Sequence, residues 1–151
     1  MKNLYEPSVV AELHSRIGRL RPESQQQWGR MSVPQMLAHC AMTMEMALGE
    51  SPPLPRHPLG RLIGWLAKRS LLVKGKPLGR NAPTHPTVVV GDQRNFQYER
   101  RRLEDSIDRF ANGGPQACTR HPHFFFGAMT PAEWSAFSYI HLDHHLRQFG
   151  V

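Results

Sequence analysis

The chain has 151 residues, of which 40% are hydrophobic and 21% charged, with two cysteines and a formal charge of +7. That length can bury a core without disulfides, and the balance excludes a disordered chain and a disulfide scaffold. No apolar run reaches membrane-spanning length and the opening MKNLYEPSVV lacks a secretory signal, so the expectation is one domain over residues 1–151, cytoplasmic and without membrane association.

From Ser8 onward, Val9, Val10, Leu13, Ile17 and Leu20 recur at helical spacing, and Pro22 marks the end of this first helix. Gln25 to Gly29 reads as a connection with Trp28 packing inward. The second helix announces itself with SVPQ: Ser32 is the N-cap, Pro34 lies in the first turn and Gln35 occupies the capping-box position. Met36, Leu37, Cys40, Met44 and Ala47 form its apolar stripe, and Gly49 with Pro52 and Pro53 stops it.

Residues 50–91 hold seven prolines (52, 53, 55, 58, 77, 83 and 86), which exclude one long helix. A short helix over about 59–72 fits within this crossover, and THPTVVVG reads as a short extended piece. A structureless loop of this length is unusual, so the segment is expected to pack on the body or cover a pocket. Between Glu50 and Asp92 there is no acidic residue, while Arg56, Arg61, Lys68, Arg69, Lys74, Lys76 and Arg80 are all basic. Such a field suits an anionic substrate, a phosphate backbone or a membrane surface; a solvated loop accounts for it equally simply.

A third long helix is expected from Asp92 to Asn112, with Phe96, Leu103, Ile107 and Phe110 on one face and Gly113-Gly114 as its C-cap. Arg100/Glu104 and Arg101/Asp105 are at i,i+4 spacing. Arg100 lies about 40° from Phe96 around the axis and is a candidate to point into the bundle. After the aromatic loop HPHFFFGAM, TPAE sets Thr130 as N-cap and Glu133 as the capping-box partner of a fourth helix, Pro131 to about Gln148. Four long amphipathic helices and one elaborate, Pro-rich crossover make an all-α four-helix bundle.

The fourth helix contains YIHLDHHLRQFG. Setting His141 at zero, Trp134, Phe137, His145 and Gln148 fall within about 40° of it, whereas His144 lies at about −60° and Asp143 near the opposite side. An apolar stripe thus turns polar without changing face. His141 and His145 at i,i+4 can share one transition metal, with His39 of the second helix as the third ligand from a facing element and Cys40 as a weaker alternative. A pair of histidines near a helix C-terminus, favoured by its dipole, accounts for the same pattern without a metal.

SVPQMLAHC, HPHFFFGAMTPAEWSAFSYIHLDHHLRQFG and the helix order together resemble the DinB-like (YfiT-like) superfamily of metal-binding four-helix bundles, and within it a branch known only as a domain of unknown function. The resemblance implies a divalent metal held by one histidine of the second helix and two of the fourth, here His39, His141 and His145. Against the superfamily's H-x-x-H-H-R-G-Q motif, His141, His144, His145 and Gln148 match, while Leu146 and Arg147 replace Arg-Gly. Characterised relatives include transferases and isomerases that use low-molecular-weight thiols.

Three histidines with open coordination positions suit a metal-dependent thiol transferase or hydrolase. Zn or Ni is the first expectation, with Fe, Co and Mn also compatible. Gln148, His144 and Arg100 are candidates to orient ligands or bind an anionic thiol. The alternative is a non-enzymatic metal-binding or stress-response protein. Nothing resembles a recognition helix or an RNA-binding signature, so nucleic acid is not expected; a homodimer is a further possibility.

Overall fold

The computed structural model describes residues 2–82 and 84–151. Met1 and Pro83, the latter one of the seven prolines counted in the crossover, lie outside them. Among the described residues five α-helices follow in order: α1 Pro7–Arg19, α2 Val33–Leu48, α3 Pro58–Leu72, α4 Phe96–Ala117 and α5 Pro131–Gln148. The architecture is the expected all-α bundle: α1, α2, α4 and α5 form its body and α3 lies in the crossover. Among the described residues there is no strand, only an isolated bridge between His123 and Gly127.

Local chemistry sets most boundaries. Ser32 N donates to Gln35 Oε1 at 2.9 Å, and Gly49 ends α2 at a φ of 76°, a left-handed value that disfavours side chains. On α5, Thr130 Oγ1 accepts from Glu133 N while Thr130 N donates to Glu133 Oε2, completing the capping box. One helix boundary differs from expectation: α4 starts at Phe96 rather than Asp92, where the Asn95 side chain caps it by accepting from Tyr98 N at 2.9 Å. Gly114, with a φ of 62°, breaks the helix where the sequence placed its end, and Pro115 opens one further turn to Ala117 beyond the kink. The THPTVVVG stretch is not extended throughout either, since Pro86–Val88 winds into a 3₁₀ turn capped by the His85 ring.

The core gathers Leu13 and Ile17 of α1, Met36, Leu37 and Met44 of α2, Leu103, Ile107 and Phe110 of α4, and Trp134, Leu142 and Leu146 of α5, all at most 2% exposed. Fully burying a side chain of this kind is worth about 1.5–3 kcal/mol relative to leaving it in water. Cys40 is buried here, its thiol pushed up by burial, and both cysteines are free.

Charge pairs lace the helices together. Arg16 of α1 reaches Asp143 of α5 at 2.8 Å and the Val151 carbonyl at 3.0 Å. Glu99, 1% exposed, is held between Arg94 and Arg102, and Arg102 also grips both carboxylate oxygens of Glu45 at 2.7 and 2.8 Å. The Arg100–Glu104 pair forms as expected, but Asp105 pairs with Arg109 rather than Arg101.

Candidate metal centre

Each histidine of the centre is placed by a separate local cause. His39 lies on α2 between Ala38 and Cys40, and all three are buried. His141 and His145 lie one turn apart on α5. The buried arc of α5 is wider than the sequence stripe suggests: it runs from Phe137 past His145 and Ser138 to Leu146. His141 therefore sits near one edge of the arc and is only partly buried, whereas His145 is 8% and His39 4% exposed.

One ring nitrogen from each of His39, His141 and His145 lies within 4.8 Å of the others. The Nε2 atoms of His39 and His141 are 3.1 Å apart, and the three ring centroids are separated by 4.6–5.0 Å. The spacing brings three nitrogens to one point, the arrangement a single transition ion requires.

Hydrogen bonds decide which nitrogens are offered. His39 Nδ1 is 2.8 Å from the Val88 carbonyl, which can only accept, so Nδ1 carries the proton and Nε2 keeps its lone pair. On the other side, Gln148 Nε2 donates to the Trp28 carbonyl at 2.7 Å. That contact fixes the amide orientation and turns Oε1 toward His145 Nδ1, 2.9 Å away, so His145 is also protonated on Nδ1. Partners of this kind orient metal-binding imidazoles and raise their basicity. Gly29 makes room for the arrangement: its φ is +82°, and a Cβ there would overlap the Gln148 amide nitrogen.

Burial keeps the rings neutral. His145 is pushed down to about 3, first by burial and then by the neighbouring His39. His141 is held well below the usual range by burial and by His145 and His39. His39 is lowered by burial, opposed by its bond to Val88. Neutral imidazoles with free lone pairs are the form that binds a metal.

The remaining sequence candidates fall in different places. Gln148 is 3% exposed and holds His145 rather than facing an open position. His144 is partly buried beside the centre, edge-on to the Trp28 ring at 5.6 Å and to the His145 ring at 5.1 Å; burial lowers its pKa, against the pull of Asp143. Arg100 does not join the centre: its partner is Glu104, and it rests against Gly18 of α1.

Three contributors escape a reading of the sequence. The Val88 and Trp28 carbonyls are backbone groups with no residue-type signature. His123, in the aromatic loop, is 4% exposed and stacks on Phe124 and Phe126, with ring distances of 4.5 and 4.7 Å. Its Nδ1 accepts from Phe125 N and Phe126 N, leaving the proton on Nε2. It approaches the edge of Phe137, which in turn packs on the His141 ring at 5.8 Å. The run HPHFFF was its only trace in the sequence.

A family model described as "Protein of unknown function (DUF1569)" matches residues 7–150. No curated protein and no solved structure gives a significant match.

Proposed function

The chain belongs to this family of proteins of unknown function (DUF1569), and from that premise we propose that it is a single-domain, metal-binding bundle of DinB-like type in which His39, His141 and His145 hold one divalent transition metal. The observation that carries this reading is the convergence of the three ring nitrogens within 4.8 Å, with two of the rings committed on their far side to Val88 and Gln148. An all-nitrogen donor set of neutral imidazoles fits Zn or Ni best, and admits Fe, Co or Mn.

The proposed activity is a thiol transfer or hydrolysis in the cytoplasm. When bound, the metal supplies Lewis acidity that brings a thiol or water toward ionisation near neutral pH. The chain's own part is positional. Val88 and Gln148 hold two imidazoles in one tautomer, and burial keeps all three unprotonated. Phe137 covers one flank of His141. The partial exposure of His141 leaves that edge as the approach for a small substrate, and the basic crossover favours an anionic one.

Elemental analysis of protein purified after growth with added Zn, Ni and Mn tests the site, with about one ion per chain expected from a three-ligand centre; finding none in any medium refutes it. Incubating the loaded protein with low-molecular-weight thiols and electrophiles then tests turnover. Product formation abolished by His145→Ala supports a catalytic role, and a loaded but inert protein supports a purely metal-binding one.

A further inference from the structure

α3 is attached to the body in an unusual way. Its inward side is Gly60, Gly64 and Leu71. A Cβ at Gly60 or Gly64 would overlap the backbone of Phe125, so the helix lies directly on the main chain of the aromatic loop. With glycines facing in, the large apolar side chains face out. Leu62 is 73% exposed, Trp65 59%, Leu66 50%, Leu59 49% and Ile63 41%. On a helical wheel these lie within about 100° of Leu62, opposite the glycines. A contiguous apolar surface of this kind marks an interaction site.

Its charge surroundings say what kind. Arg61 and Arg69 are exposed on α3, Lys74 and Lys76 are exposed just past its C-terminal end, and none of the four forms an ion pair among the described residues. The crossover holds seven cations and no anion, and the remaining chain carries twelve of each. The entire formal surplus of +7 therefore belongs to the segment that carries the exposed apolar face, and the bundle beneath it is formally neutral.

We propose that the outer face of α3 is an interfacial docking surface for an anionic lipid bilayer. Leu62 and Leu66 enter the boundary between headgroups and acyl chains. Trp65 sits at headgroup level, where its amphipathic ring is favoured. Arg61, Arg69, Lys74 and Lys76 meet the lipid phosphates and anionic headgroups. A second copy of the chain is the weaker occupant, because pairing this face with itself opposes two like-charged sets with no anion between them. The sequence expectation of no membrane association rested on the lack of a spanning run; no helix among the described residues is long and apolar enough to cross a membrane, and a helix lying in the interface needs no such length. The proposal is independent of the metal centre.

Cosedimentation of the full chain, as purified, with vesicles of phosphatidylcholine alone and of an equimolar phosphatidylcholine–phosphatidylglycerol mixture tests it. Partitioning is expected to be at least about tenfold stronger on the anionic vesicles, to weaken in high salt, and to shift the tryptophan emission to the blue. Trp65→Phe should keep binding and lose that shift. Leu62→Asp with Leu66→Asp, and separately Arg69→Glu with Lys74→Glu and Lys76→Glu, should abolish binding with unchanged circular dichroism, since every one of these side chains is exposed. Failure to bind anionic vesicles overturns the proposal, as does equal binding to both kinds. It is also overturned if the protein ignores lipid and instead forms a dimer that Leu62→Asp dissociates, which assigns the face to a second copy.

Discussion

His39 and Val88 are joined by a hydrogen bond of 2.8 Å between the Nδ1 of one and the carbonyl of the other. The bond reaches from the crossover, 49 residues away in the chain, to the centre of α2. The Pro-rich segment is thus part of the centre rather than a tether between helices: it selects the nitrogen that His39 presents.

Alanine at His39, His141 or His145 should each remove bound metal, because two imidazoles are seldom enough to retain an ion. His144→Ala should keep it, since that ring packs edge-on against Trp28 and His145 and is not among the three converging nitrogens. Metal content by mass spectrometry of each variant is the measurement. Equal loss from all four would show that the geometry does not select the ligands.

Gln148→Leu should weaken metal binding by about 10–100-fold without changing its stoichiometry at saturation, the usual cost of losing a partner that orients a ligand. Competition with a chromogenic chelator reads the affinity. Gln148→Glu keeps an acceptor for His145 and should retain more of that affinity than the leucine variant. If the two behave alike, the donation to the Trp28 carbonyl, which both variants lose, outweighs the acceptor offered to His145.

Acid should destabilise the metal-free protein through its buried neutral histidines. His123 and His145 are both pushed down to about 3, chiefly by burial, against about 6.5 in an unfolded chain. Between those values the unfolded chain binds more protons than the native one, so stability is complete above about pH 6.5 and is lost as pH falls toward 3. His123→Asn preserves an acceptor for Phe125 N and Phe126 N but does not titrate. Its stability in urea should depend less steeply on pH, by up to about 1.4 kcal/mol per pH unit. An unchanged slope would falsify the burial of neutral His123.

Gly64→Ala should lower stability, although alanine in an unobstructed helix normally gains about 0.5–1 kcal/mol over glycine. The new methyl meets the Phe125 carbonyl, and forcing a group into a packed contact costs about 1–3 kcal/mol. The sign of the change in thermal midpoint decides: a rise would mean that α3 does not rest on the aromatic loop.

Helical phase made much of this centre legible. His141, His145 and Gln148 share a side with Trp134 and Phe137 because spacing along one helix is a local property, and His39 follows as an inward-edge residue on a facing helix. The same holds for the boundaries set by Ser32, Thr130 and Glu133, whose side chains act within a few residues. What stayed hidden depends on distant backbone. The Val88 and Trp28 carbonyls have no side-chain signature, and the shelter of His123 exists only once the aromatic loop folds over Phe137. Asn95 caps α4 three residues past the expected start because it and Asp92 are both competent cap residues, and residue type alone does not rank them. The exposure of Leu62 and Trp65 was likewise unreadable: a wheel with leucines on one side and glycines on the other does not say which side meets the body.

The confinement of the surplus charge to the crossover sets one basic segment against a remainder of the chain that is formally neutral. In a field such as that of an ion-exchange matrix or a polyanion, that segment is drawn in first, before any specific contact forms. The torque acts over roughly 8 Å at physiological ionic strength and is lost in concentrated salt. Orientation, rather than tightness of binding, is therefore what the seven crossover cations confer at a distance, and the side of the molecule seen by any anionic surface is decided before it touches.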